Sequence, residues 1–125
     1  MTYRILWPIF ALCASTAFAQ DWNLRDTDEV LDADALGLIA DGGALTYYDD
    51  GVSLFSAGGA YSYTYANNGG TAFGRFRVEG DGQICIDYRN GFSRCDMYVR
   101  NGGRLVLLTE DGQRYPIKTE KGVTP

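Results

Sequence analysis

From residue 44 onward the chain is punctuated by turn-forming clusters: Asp49-Asp50-Gly51, Asn67-Asn68-Gly69-Gly70, Gly80-Asp81-Gly82, Asn90-Gly91, Asn101-Gly102-Gly103 and Glu110-Asp111-Gly112. After the first gap they recur about every ten residues, and Asn-Gly and Asp-Gly tolerate the positive φ that tight hairpins demand. A long helix cannot pass through such punctuation, so what lies between must be short strands. Glycine fits this, at 16 of 125 residues against only three prolines. The runs of strand length are 44–48, 52–57, 60–66, 72–79, 83–88, 92–99, 104–109 and 114–118. Gly58-Gly59 separates the second from the third as a turn or a bulge. Pro116 cannot donate to a ladder, which places the last run at a sheet edge or a barrel seam.

Alternation within the runs supports half-buried antiparallel strands. Ala72, Gly74, Phe76 and Val78 share one face, with Phe73, Arg75, Arg77 and Glu79 on the other. Ile84, Ile86 and Tyr88 oppose Cys85 and Asp87, and Tyr115 and Ile117 alternate with Arg114 and Lys118. Leu105-Val106-Leu107-Leu108 is apolar on both faces, so its outer side needs a cover. The N-terminal segment can supply one. Asp26-Thr27-Asp28-Glu29 followed by Val30, Leu31, Ala35 and Leu38 predicts a helix over 27–40, capped by Thr27 or Asp26 and ended by Gly37 or Gly42. The expected architecture is all-β: a small antiparallel up-and-down β-barrel, or a sandwich of similar connectivity, of about eight strands with one short N-terminal helix.

The first residues read as an export signal. Arg4 supplies a positive start, Ile5 to Ala14 an apolar stretch, and Ala17-Phe18-Ala19 a small-x-small cleavage site. The apolar stretch is shorter than the ~20 residues that a membrane span needs. A lipoprotein signal would instead use Cys13, but Leu12 stands where a small residue is wanted. The expected organisation is therefore a signal peptide at 1–19 and a single domain at 20–125, periplasmic or secreted, with no transmembrane segment in the mature chain.

Cleavage after Ala19 leaves two cysteines, Cys85 and Cys95. An even pair in an exported chain predicts a disulfide. The hairpin register can be chosen from it. A two-residue Asn90-Gly91 turn would put Cys85 opposite Asp96. A three-residue loop with Gly91 left-handed puts Cys85 opposite Cys95, where the Cβ atoms can approach to the ~3.8 Å a bridge requires. The spacing does not fit the C-x-x-C of redox-active pairs, so the bridge is expected to be structural.

The chain has 11 Lys+Arg, 16 Asp+Glu and no histidine, for a net charge of −5. Imidazole-based catalysis and imidazole ligation of zinc or haem are excluded. So acidic a chain has no general attraction for phosphate backbones, which argues against nucleic acid as a partner. A serine or threonine nucleophile would need a lysine or amino-terminal base, and Lys118 and Lys121, the only lysines, lie near the C-terminus. The acids Asp49, Asp50 and Asp81 sit in turns, where backbone hydrogen bonding accounts for them. A calcium loop tested from Asp32 has Leu36 at its fifth position and Gly43 at its twelfth, where glutamate is required. Met97 is the one methionine of the mature chain, too little for a soft copper or haem ligand set. The expectation is a non-catalytic protein without cofactor or metal.

The most distinctive run is Ala60-Tyr61-Ser62-Tyr63-Thr64-Tyr65-Ala66. Period two sets Tyr61, Tyr63 and Tyr65 on one face, a row of flat apolar rings with polar tips. Strand propensity and cross-strand packing alone can account for such a row. It also suits a binding face or a partly wet barrel interior, and Arg75 and Arg77 on the next strand would join it in an Arg/Tyr hot spot.

The segment Gly74-Arg75-Phe76-Arg77-Val78-Glu79-Gly80-Asp81-Gly82-Gln83-Ile84-Cys85-Ile86-Asp87-Tyr88, with Ser93-Arg94-Cys95 beyond it, resembles small exported proteobacterial β-proteins of unknown function. Their theme is Gly-x-aromatic-x-Val, a short Asp-Gly turn, a Cys-bearing strand and a second Cys about ten residues on. Phe76 stands where Trp is common in that pattern. The resemblance covers roughly residues 70–117 and implies periplasmic export and an all-β fold, with no activity and no site residues. The expected architecture also resembles periplasmic lysozyme and protease inhibitors, an analogy of fold alone. Two functions are expected on these grounds. One is binding of a protein partner, as an inhibitor or accessory protein, through the aromatic/Arg sheet face. The other is lipocalin-like carriage of a small ligand in a Tyr-lined cavity.

Overall fold

A computed structural model describes residues 22–122. The expected leader at 1–19, its cleavage site and Cys13 lie outside the described residues. The elements run β1 (Glu29–Val30), α1 (Ala33–Ala40), β2 (Ala44–Tyr47), β3 (Val52–Phe55), β4 (Ala60–Thr64), β5 (Thr71–Glu79), β6 (Gln83–Tyr88), β7 (Ser93–Asn101), β8 (Arg104–Thr109) and β9 (Arg114–Lys121). Each of β2 to β9 pairs antiparallel with its sequence neighbours, and β9 returns to β2 through Ala44↔Lys121 and Tyr47↔Ile117. The result is a closed eight-stranded up-and-down barrel, and closure settles the choice between barrel and sandwich. Strand β1 is the ninth, lying on β7 beyond the end of β6 with Glu29 opposite Arg100. Pro116 falls one residue past the β2–β9 pairing, so its missing N–H costs that seam nothing. Gly58 and Gly59 form a tight turn, with the Gly59 N–H donating to the Ser56 carbonyl at 3.1 Å and both φ values positive.

The β6–β7 hairpin has the three-residue loop. Gly91 has φ +87, and Tyr88 N–H donates to the Phe92 carbonyl at 2.8 Å. Cys85 therefore faces Cys95, and the two are bridged. Closing a loop of about ten residues stabilises by ~2–3 kcal/mol on the chain-entropy estimate.

The helix is shorter than its sequence pattern suggests. It starts at Ala33, and its cap is Asp32, whose Oδ1 accepts from the Ala35 N–H at 2.9 Å. The residues expected to open it are held elsewhere. Asp28 is drawn to Arg114 and Asn101, Glu29–Val30 pair with β7, and Leu31 N–H donates to the Tyr98 carbonyl at 3.1 Å. At the other end the Gly43 N–H reaches the Ile39 carbonyl at 3.0 Å, and a Cβ on Gly43 would lie 2.4 Å from that oxygen. The chain can turn from helix into β2 this tightly only because Gly43 has no side chain.

Eight residues make a marginal helix on their own. Packing holds α1: Leu36 and Ile39 are buried in one cluster with Leu31, Leu45, Phe55, Ile84, Leu105 and Ile117. Leu45, Phe55, Ile84 and Leu105 come from the start of β2, the end of β3 and the starts of β6 and β8, so the helix plugs that end. Burying two such side chains is worth ~1.5–3 kcal/mol each. Leu105 and Leu107 point to the interior. Val106 and Leu108 point outward and are covered by Trp22 with Met97 and Val99. The cover is N-terminal, as expected, but it is the segment before the helix that supplies it. That segment is riveted by the Asp28–Arg114 ion pair (2.7 Å), with side chains 0 % and 10 % exposed.

Candidate functional site

At the end opposite α1 the interior changes character. The inward positions near this mouth are Tyr47 on β2, Ser53 on β3, Tyr61 and Tyr63 on β4, Tyr88 on β6, Arg94 and Asp96 on β7, and Tyr115 on β9. They line a cavity of about 590 Å³ that opens to solvent. Ser53 and Asp96 are buried polar residues on its wall. The floor is a short chain of hydroxyls: Tyr47 to Ser53 at 3.1 Å and Ser53 to Tyr61 at 2.9 Å. Above it the rings tilt against one another, Tyr47 and Tyr63 at 5.9 Å and 50°, Tyr63 and Tyr65 at 4.8 Å and 79°. Tyr61 and Tyr88 meet edge-on at 5.9 Å across β5, because the residue between them in the register is Gly74. A Cβ on Gly74 would lie 2.5 Å from the Asp87 carbonyl oxygen, so this position accepts no side chain without a shift.

One wall carries an ion pair. Arg94 and Asp96 are two apart on β7 and share the inward face. Arg94 Nε reaches Asp96 Oδ2 at 3.0 Å and an Nη reaches Oδ1 at 2.7 Å, a forked contact. The Asp96 side chain is 4 % exposed and that of Arg94 40 %. Burial pushes Asp96 above the usual carboxylate range, and Arg94 offsets only part of that. Burial works against the Arg94 charge, and Asp96 more than restores it, so the guanidinium is held charged. Burial also pushes the Tyr47, Tyr61, Tyr63 and Tyr88 phenols up, which keeps them neutral. The cavity therefore presents uncharged hydroxyls and ring faces around a single paired guanidinium, with Asp49 and Asp111 also in its lining.

The residues singled out by sequence divide between the two faces of the sheet. Tyr61, Tyr63 and Tyr65 line the cavity, with Tyr61 buried, Tyr63 half-buried and Tyr65 exposed at the rim. Arg75 and Arg77 are outside. The register sets Gly74 opposite Tyr61, so its neighbour Arg75 turns outward, and Arg77 lies opposite Cys85 on the disulfide face. The expected joint Arg/Tyr face does not form, because the β4–β5 register puts these residues on opposite sides. Outside, Arg77 pairs with Glu79 and Asp87 at 2.7 and 2.6 Å. Arg75 donates to the Gly58 carbonyl at 3.3 Å, and Arg89 stacks over Phe73 at 5.1 Å.

Arg94, Asp96, Ser53, Tyr47 and Tyr88 were not singled out. A signal for two of them was present. With Cys85 opposite Cys95, Ile84 must face Asp96 and Ile86 must face Arg94, which puts a charged pair on an otherwise apolar inward row. Among the described residues no helix is long and apolar enough to cross a membrane. Comparison with family models, with curated proteins and with solved structures finds no match.

Proposed function

We propose that this is an exported, non-catalytic protein that holds a small organic ligand in the tyrosine-lined mouth of its barrel. One observation carries the reading: the interior is filled and apolar at the helix end, yet opens at the other into a cavity of about 590 Å³ walled by aromatic rings and a few convergent polar groups. Small-molecule sites are of this size and composition. Export is supported by the leader-like start of the chain and by the Cys85–Cys95 bridge, which an oxidising compartment maintains. The experiment is ligand-observed NMR with a panel of aromatic and amphiphilic small molecules, run on the wild-type chain and on Thr109→Trp. Thr109 lines the cavity, and an indole there takes up part of its space. The reading expects binding by the wild type and its loss in a variant that still melts cooperatively. Equal binding by both chains, or none by the wild type, overturns it.

A second reading keeps a protein partner but moves it to the outer face. Phe73 is exposed there, stacked under Arg89 and next in sequence to Gly74 and Arg75. Exposed aromatic and arginine side chains in one patch suit a protein contact. Loss of a purified periplasmic partner on Phe73→Ala with Arg89→Ala, with small-ligand binding intact, would favour it over the cavity.

A further inference from the structure

We propose that the ligand is an organic cation, an alkylated ammonium group on an apolar or aromatic body. This rests on the cavity being a ligand site and adds the class of ligand. Its first support is the arrangement of the rings. Tyr47, Tyr63 and Tyr65 are tilted to one another by 50° and 79° at centroid separations of 5.9 and 4.8 Å, so their faces cannot all stack on one flat ligand. They form walls at angles, and each ring face carries the negative side of its quadrupole. A compact cation within ~6 Å of several such faces is attracted to all of them, whereas a planar neutral ring can use one at a time.

The second support is the charge of the walls. One guanidinium faces three carboxylates, those of Asp49, Asp96 and Asp111. Asp96 already takes Arg94 in its forked contact through Nε and one Nη, so that guanidinium's charge is offset before any anion arrives. A Cβ on Gly51 would lie 2.1 Å from the Tyr63 hydroxyl and 3.0 Å from Asp49 Oδ1, so this carboxylate sits beside the tip of the ring wall. The Asp49 and Asp111 carboxylates also hold local turns, accepting from the Gly51 N–H and the Thr109 hydroxyl. The potential at the mouth thus favours cations and opposes anions. Neutral phenols, rather than phenolates, leave the selectivity to the ring faces and to these acids.

The test uses three probes of similar size on the full disulfide-bonded chain: phenyltrimethylammonium, its uncharged isostere tert-butylbenzene, and benzoate. Ring resonances of Tyr63, Tyr65 and Tyr88 report occupancy. The expected result is binding of the ammonium at least tenfold tighter than the isostere, no binding of benzoate, and a preference that shrinks to below threefold in Asp49→Asn with Asp111→Asn. Asparagine can still make the turn contacts, so the double variant removes charge with little change in shape. Equal binding of the ammonium and its isostere overturns the inference while leaving the cavity as a ligand site. So does tighter binding of benzoate. If none of the three shifts those rings, the cation fails, and Thr109→Trp with the wider panel decides the cavity separately.

Discussion

The two ends of one barrel have been filled in opposite ways. At the α1 end Leu36 and Ile39 enter a cluster with Leu45, Phe55 and Leu105, and those side chains are essentially inaccessible. At the other end the barrel contributes Tyr47, Tyr63, Tyr88, Arg94 and Asp96 around open space. Strand pairing continues through both, so backbone hydrogen bonding does not distinguish them. Side-chain chemistry does. The apolar end carries the hydrophobic free energy of folding. The aromatic and polar end is supported from below, and its interior need not collapse to keep the barrel closed.

That contrast makes the helix end costly to disturb and the mouth cheap. The largest effect is expected at Phe55, which packs against Tyr61 at 5.1 Å and Phe76 at 5.2 Å. Phe55→Ala should destabilise by ~3–5 kcal/mol in denaturant unfolding, the cost of a large cavity in a closed core. A small loss there would mean that the two ends are less different than they look.

Next comes the segment that ties the plug to the barrel. Arg114 hydrogen-bonds the buried Asp28 carboxylate, Asn101 and the Arg25 N–H assist against the opposing cost of burial, and the carboxyl is held well below its ordinary 3.8. Removing one partner of a buried pair strands the other, so Asp28→Asn should cost about 3 kcal/mol at pH 7. A carboxyl depressed in the folded state contributes stability in full above its unfolded value and loses it as pH falls toward the folded one. The wild type should therefore lose this contribution progressively below about pH 4, and the variant should lack that part of the acid dependence. Thermal unfolding of both chains between pH 2 and 7 measures it; parallel profiles would remove Asp28 as the rivet.

The smallest effect on stability is expected at the rim. Tyr65 is 53 % exposed, and Tyr65→Ala should change unfolding by less than ~0.5 kcal/mol, as surface substitutions usually do. If the mouth is the ligand site, the same variant should weaken binding severalfold. A rim that is costly to trim but neutral for binding would reverse the comparison.

Much of this architecture was legible in the residues, and the reasons are local. Asn90-Gly91 and the two cysteines select one hairpin, because a single residue more or less in the loop would send the sulfurs to opposite faces. The Asp-Gly and Asn-Gly clusters bound the strands to within a few residues, because positive φ is tolerated by few side chains. The helix starts later than its pattern suggests because Thr27 and Asp28 have the chemistry of a cap but are held by Asn101 and Arg114 instead. Arg75 and Arg77 turn away from the tyrosines because of the β4–β5 register, which the loop from Tyr65 to Gly70 sets, and that loop's conformation is not written in a two-residue signal.

Local sequence thus determined the strand content, the hairpin with its bridge, and the alternation of faces, since each depends on neighbours a few residues apart. Only the tertiary structure decided that β9 closes on β2, that α1 seals one mouth and leaves the other open, and that Arg94 and Asp96 sit inside with the tyrosines while Arg75 and Arg77 stay out. Those outcomes depend on contacts between residues far apart in the chain, such as Asp28 with Arg114 and Ala44 with Lys121, and no short window of sequence contains both partners.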